Sequence, residues 1–192
     1  GSEMCIRDSG IPSQMNATGL VVNKKVFEDA GITEFPKTTE DFIAALKKIK
    51  ENDSSIVPLY TNYAAGWTLS NWDFTRPGVS GDPDFTNEMT SDTSPFDEGD
   101  TMYTIYNTLY TVAKEGLIES DPTTSDWEQS KVDLANGKVA VMVLGSWAVP
   151  QIQKINEDNA DNIMFEAFPV TASDGKQYMP IGGDYNYGIN VN

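Results

Sequence analysis

Histidine is absent from this 192-residue chain, and cysteine occurs once, at Cys5. Nucleophilic catalysis by a Cys–His or Ser–His pair, zinc sites of the usual Cys/His type and an internal disulfide are thereby excluded. So little cysteine suits a reducing compartment and equally an exported bacterial chain that folds without bridges; compartment stays open. Long hydrophobic runs are also missing. The longest unbroken apolar stretch is Val139–Leu144, far short of the ~20 residues of a membrane-spanning helix. Positive charge is scarce, with 13 basic against 29 acidic residues and a formal net charge of −16. Repulsion from phosphates argues against nucleic acid, an anionic lipid surface or a polyanionic ligand as the main partner.

What remains is the composition of an ordinary globular domain, 39% hydrophobic and 22% charged. That length suffices for one sizeable core, and no internal repeat divides it. The first ten residues stand apart. Gly1-Ser2 is a common cloning remnant, and Glu3–Ser9 resembles a translated sequencing adapter. Gly1–Gly10 is therefore set aside as a scar, and Cys5 with it.

From Ile11 to Val22 the chain reads as extended, and Asn23 is placed to cap a helix over Lys24–Ala30 that Gly31 stops. Thr38 and Asp41 stand at capping-box spacing. Behind them Phe42, Ala45, Leu46 and Ile49 recur at helical intervals, which predicts an amphipathic helix over Thr39–Glu51. Ile56–Tyr60 reads as a buried strand, and a helix is expected near Trp67–Phe74. An acidic, Gly/Pro-punctuated stretch then runs as a loop or small insertion to about Gly99. Asp100–Glu115 should be helical, with Met102, Ile105, Tyr106, Leu109, Val112 and Ala113 on one face. Asp126–Asn136 is a further helix stopped by Gly137. Val139–Leu144 is apolar on both faces, as a central strand under helices should be. Ser146 can cap a helix over Trp147–Asn156, Ile163–Phe168 is a strand, Ser173–Lys176 a turn and Tyr187–Val191 a last strand. Strands alternate with helices, so the class is α/β with a mostly parallel sheet flanked by helices.

Four blocks in register then point to a family. Gly19–Ile32 (GLVVNKKVFEDAGI) is followed by a Pro and a Thr-led helix; Asn136–Met142 (NGKVAVM) precedes Gly145-Ser146-Trp147; Phe168-Pro169-Val170 precedes Gly182–Asn190 (GGDYNYGIN). Across Ile11–Asn192 their order and spacing resemble the family 1 extracellular solute-binding proteins of ABC sugar importers, of which the maltose-binding proteins are the best known. Val22 departs from the pattern, where a Tyr is usual, and residues 76–100 align with nothing in it.

The resemblance implies one lobe of a type II periplasmic-binding-protein-like fold, in which two α/β lobes joined by crossover strands close over a ligand. Residues 11–192 would form the second lobe, truncated at both ends. Ile11–Val22 and Tyr185–Asn192 would lie near crossovers, with the first lobe elsewhere in a longer parent. It further implies a carbohydrate ligand, ABC permease subunits as partners of the full-length protein, a monomer, and an extracellular lipoprotein or periplasmic parent. No cofactor, metal or catalysis is implied.

Sugars present apolar C–H faces and a hydroxyl rim, so aromatic rings and amide or carboxylate groups are the side chains to look for. Trp147, matching a stacking aromatic at a helix start, is the first candidate; an indole buried in the core is the competing reading. Asn62, Tyr63 and Trp67 follow a buried strand, where cleft residues emerge from an open sheet. Asn62 would grip hydroxyls and Tyr63 or Trp67 would pack; a Trp67 that starts the core face of its helix is the competing reading. Asp184, beside Gly182 and Gly183, is a carboxylate that close backbone approach could bring to a ligand, unless those glycines serve hinge bending. Asn16 and Gln14 are rim candidates. Trp72 and Trp127 read as packing or surface anchors. The acidic residues of 76–100 lack EF-hand spacing and read as a solvated loop rather than a calcium site. A glycoside hydrolase is the alternative from another class, but it needs two carboxylates about 5–10 Å apart, and no convincing pair stands out. A solute-binding lobe for a non-sugar ligand is the other alternative.

Overall fold

A computed structural model describes residues 10–188 of the chain. Residues 1–9 of the segment set aside as a scar, and 189–191 of the expected last strand, lie outside the described residues.

The backbone of the fold is a single long strand, β1 (Gly10–Asn23). Its inner half is the apolar run Gly19–Val22, and Leu20, Val21 and Val22 are buried. This half lies between β3 (Val139–Gly145) and β4 (Ile163–Glu166), with β2 (Val57–Leu59) beyond β3, in the order β2-β3-β1-β4. The outer half, Gly10–Ala17, leaves that sheet and pairs with β5 (Ile181–Gly188) as a two-stranded ribbon.

The α/β class holds, but the pairing corrects the expectation of a mostly parallel sheet. Only β2–β3 is a parallel ladder; β1 is antiparallel to β3, β4 and β5. β2, β3 and β4 therefore do point the same way, as helix crossovers require. The entering strand β1 is inserted among them in the opposite direction and turns two of the sheet's three ladders antiparallel.

Helices cover both faces. Leu20 and Val22 of β1, with Val141 and Val143 of β3, face a core shared with α1 (Lys24–Asp29), α2 (Thr39–Asn52) and α6 (Thr101–Lys114). Val21, Met142 and Leu144 face the opposite layer, α7 (Trp127–Ala135) and α8 (Ala148–Gln153). Strand β3 is buried along its whole length, as its uninterrupted apolar run predicts.

The caps show where local signals sufficed. Asp41 N donates to Thr38 Oγ1 at 3.1 Å, and α2 buries the four residues the periodicity selects: Phe42, Ala45, Leu46 and Ile49. Asn23 and Ser146 behave differently. The Asn23 side chain is buried and donates to Leu134 O at 2.8 Å instead of capping α1. The Ser146 hydroxyl accepts from Ala17 N at 3.0 Å, stitching β1 to the β3–α8 turn. Both side chains found stronger partners on neighbouring elements than the helix start offered. On α6, Thr108 is buried while Tyr106 is exposed, because Tyr106 turns outward to donate its hydroxyl to Asp73.

Segment 70–91 meets the expectation of a helix near Trp67–Phe74 and continues it with short helices in place of a bare loop. It carries α3 (Ser70–Phe74), α4 (Arg76–Ser80), α5 (Phe85–Glu88) and a 3-10 turn at Met89–Ser91. Gly78 of α4 packs so closely on the chain before β5 that an added Cβ would stand 2.6 Å from Tyr178 O.

Candidate functional site

β2 and β3 run parallel, so the chain leaves both at the same edge of the sheet, and β1 arrives there from the ribbon. Three indoles converge at that edge. Trp67 follows β2, Trp147 follows β3, and Trp127 is the first residue of α7. The Trp67 ring centroid is 5.0 Å from that of Trp127 and 5.7 Å from that of Trp147, and the last two are 5.9 Å apart. Tilted and edge-on contacts at these spacings are favourable, since ring edges meet ring faces. Trp67 remains 44% exposed, and Trp127 and Trp147 are half-buried. The Lys131 ammonium sits 5.0 Å from the Trp127 ring and braces the cluster from one side.

The position of Trp147 depends on Gly145. A Cβ at 145 would fall on the Nε1 and Cδ1 atoms of the Trp147 indole, so only glycine lets that ring fold back over the strand end.

Beside the indoles lies a groove of about 410 Å³, lined by Gly145, Trp147, Asn71 and Phe74 and by residues 16–18 and 180–184 where the ribbon meets the sheet. Two of its polar lining residues are paired: Asn16 Nδ2 donates to Asp184 Oδ2 at 2.8 Å. Asn16 and Asp184 are half-buried, and Gly182 and Gly183 leave the ribbon backbone uncovered next to them.

Of the residues singled out in the sequence, Trp147, Asn16, Gly183 and Asp184 line this one groove. Trp67 reaches it through its contact with Trp147. Tyr63 is 52% exposed on the 3-10 turn Tyr63–Ala65, four residues before Trp67. Asn62 is a correction. It is 1% exposed, with Nδ2 directed at Met142 Sδ at 3.2 Å and its backbone in the left-handed region at φ 54°. It shapes the turn and does not offer an amide to solvent. Trp72 is buried against Phe168 as a packing residue.

Trp127, read as an anchor from sequence, belongs instead to the indole cluster, and Asn71 and Phe74 were not anticipated in the groove. A signal for Trp127 existed: like Trp147 it opens a helix, behind the Asp126 cap that accepts from Gln129 N. Among the described residues, no helix is long and apolar enough to cross a membrane.

The family model of the bacterial extracellular solute-binding proteins matches residues 6–192. This chain belongs to that family. The match begins inside the segment set aside as a scar. Among solved structures, the mannobiose complex of BlMnBP1, a binding protein of an ABC transporter from Bifidobacterium animalis subsp. lactis, is 43% identical with a TM-score of 0.89, covering 99% of this chain and 47% of that one. BlMnBP2 of the same organism, a manno-oligosaccharide specific solute-binding protein solved with mannotriose, is 44% identical with a TM-score of 0.88, over 96% and 44%. A curated relative, the multiple sugar-binding protein of Streptococcus mutans, is 25% identical over 174 residues, 83% of this chain and 38% of that protein. The chain thus spans 38–47% of the length of these three proteins.

Proposed function

We propose that this chain forms one wall of a carbohydrate-binding cleft in the non-catalytic solute-binding component of an ABC importer. The carrying observation is the convergence of Trp67, Trp127 and Trp147 beside a groove whose lining also holds the Asn16–Asp184 pair. Indole faces suit the apolar side of a pyranose, and an amide–carboxylate pair suits its hydroxyls. Two solved structures 43% and 44% identical to the chain hold mannobiose and mannotriose, which makes manno-oligosaccharides the first ligands to test.

In this reading residues 11–192 are the second lobe of a two-lobed parent, exported and held outside the cell as a lipoprotein or in the periplasm, and the parent delivers sugar to permease subunits. The ribbon supports a second lobe. Its paired residues place Ile11, Met15, Ile181 and Tyr187 on one face, each at least 66% exposed. Apolar side chains so arranged favour cover by further protein. A two-stranded ribbon is also marginal alone. With one wall present, affinity should be low, because closure gains contacts only when both lobes meet the ligand.

The lining of the groove includes one carboxylate, Asp184, held by Asn16, whereas glycoside hydrolysis uses two. The test is NMR of the indole N–H resonances during titration with mannotriose and with malto-, xylo- and galacto-oligosaccharides. Millimolar mannotriose should shift Trp67, Trp127 and Trp147 while leaving Trp72 in place. Unmoved resonances across the panel would refute sugar binding. Micromolar affinity would refute the one-wall reading, and release of reducing sugar would refute the absence of catalysis.

A further inference from the structure

The indole cluster needs a device that brings Trp67 to Trp127 and Trp147, because its segment has little regular structure. Between β2 and α3 the chain makes only two 3-10 turns, Tyr63–Ala65 and Trp67–Leu69. The start of this segment is held by a buried carboxylate. Glu119 is 5% exposed. Its Oε2 accepts from Thr61 N at 2.8 Å, and its Oε1 accepts from Thr61 Oγ1 at 2.6 Å and Asn62 N at 3.0 Å. All three donors belong to two consecutive residues that are themselves buried.

From that anchor the turn closes on itself. Asn62, left-handed at φ 54°, presents its carbonyl to Ala65 N at 3.0 Å and to Thr68 Oγ1 at 2.8 Å. Gly66, at φ 74°, then delivers Trp67. Glu119 also ties this turn to the segment leading to Trp127. Leu59 N donates to Leu117 O at 3.0 Å, and Ala64 N donates to Ser125 Oγ at 3.0 Å, two residues before Trp127.

We propose that Glu119 is a positioning residue of the sugar-binding wall, fixing the Thr61–Thr68 turn so that Trp67 closes the three-indole surface. A carboxylate is required by count: three donors converge, and a carboxylate offers only acceptors. Glutamine has the same shape but would set an N–H₂ donor against a donor and strand a buried polar group. The binding role rests on the carbohydrate reading above; the geometric role does not.

Three closely packed indoles couple electronically, so near-ultraviolet circular dichroism reports their arrangement. Glu119→Gln should reduce that signal toward the level of Trp67→Phe, and the double variant should lose no more than Trp67→Phe alone. Ile49→Val, a core change in α2 remote from the indoles, serves as control at matched Tm lowering and should keep the full signal. Thr61→Val removes one donor and should give a smaller loss of the same sign, which covers failure of Glu119→Gln to fold. An unchanged signal in both Glu119→Gln and Thr61→Val, or a double variant worse than Trp67→Phe, overturns the proposal. Mannotriose titration separates the two readings. Sugar binding by the wild type that weakens in Glu119→Gln supports both; a wild type that binds none of the sugars counts against the carbohydrate reading, while the dichroism still decides the positioning role.

Discussion

Asn16 and Asp184 join the two strands of the ribbon side chain to side chain, at 2.8 Å. The pair stands where the ribbon meets the groove, so it couples β1, which runs on into the sheet, to its ribbon partner β5. Asn16→Ala should cost about 1 kcal/mol, the usual worth of a part-exposed, charge-assisted hydrogen bond. Asp184→Ala should cost a similar amount, and the double variant less than the sum. A double-mutant cycle in urea checks this; strict additivity would show the two side chains to be independent.

Gly145→Ala should displace the Trp147 indole, because the new methyl group occupies the place of Nε1 and Cδ1. The ring can rotate away, so the fold should survive with a loss of about 1–3 kcal/mol. The measurement is Trp emission together with sugar affinity. An unchanged spectrum would mean that the indole does not rest on the glycine.

Gly78→Ala tests a contact with backbone rather than with a mobile ring. The added Cβ would meet Tyr178 O at 2.6 Å and Pro180 Cδ at 2.8 Å. Either α4 or the approach to β5 must shift, and a cost of about 1–3 kcal/mol is expected. Thermal unfolding should show a lowered Tm, with faster amide exchange near Ile181.

Glu166, at the end of β4, is half-buried, and burial raises its pKa above the ordinary 4.5. The folded state therefore holds this proton more tightly than the unfolded state, and the group's contribution to stability falls as pH rises above about 4.5. Glu166→Gln should be more stable than wild type at neutral pH, and the gap should close once pH drops below that value. Urea midpoints of both proteins between acid and neutral pH decide it; a gap independent of pH would assign the effect to packing.

Much of the fold was legible because its signals are local. The Thr38–Asp41 box and the Phe42, Ala45, Leu46 and Ile49 stripe specify α2 from neighbouring residues alone, and the run Val139–Leu144 announces a strand buried on both faces. Family blocks added the lobe, because their spacing constrains the order of elements. Local signals failed where a side chain had a choice of partners. Nothing near Asn23 or Ser146 in the chain reveals Leu134 O or Ala17 N.

The site divides in the same way. The position after a buried strand marked Trp67 from sequence, since open sheets put cleft residues at their carboxyl edge, whereas Trp147 was marked by the family resemblance and Asp184 by its neighbouring glycines. Only the tertiary structure decided that Asn62 is buried, that Trp127 joins the indoles, and that Glu119 reaches across to Thr61 and Asn62. Sequence carries the chemistry of each residue and the period of each element. The direction of β1 through the sheet, and with it which loops share an edge, is set by burial of apolar surface contributed by residues more than a hundred positions apart.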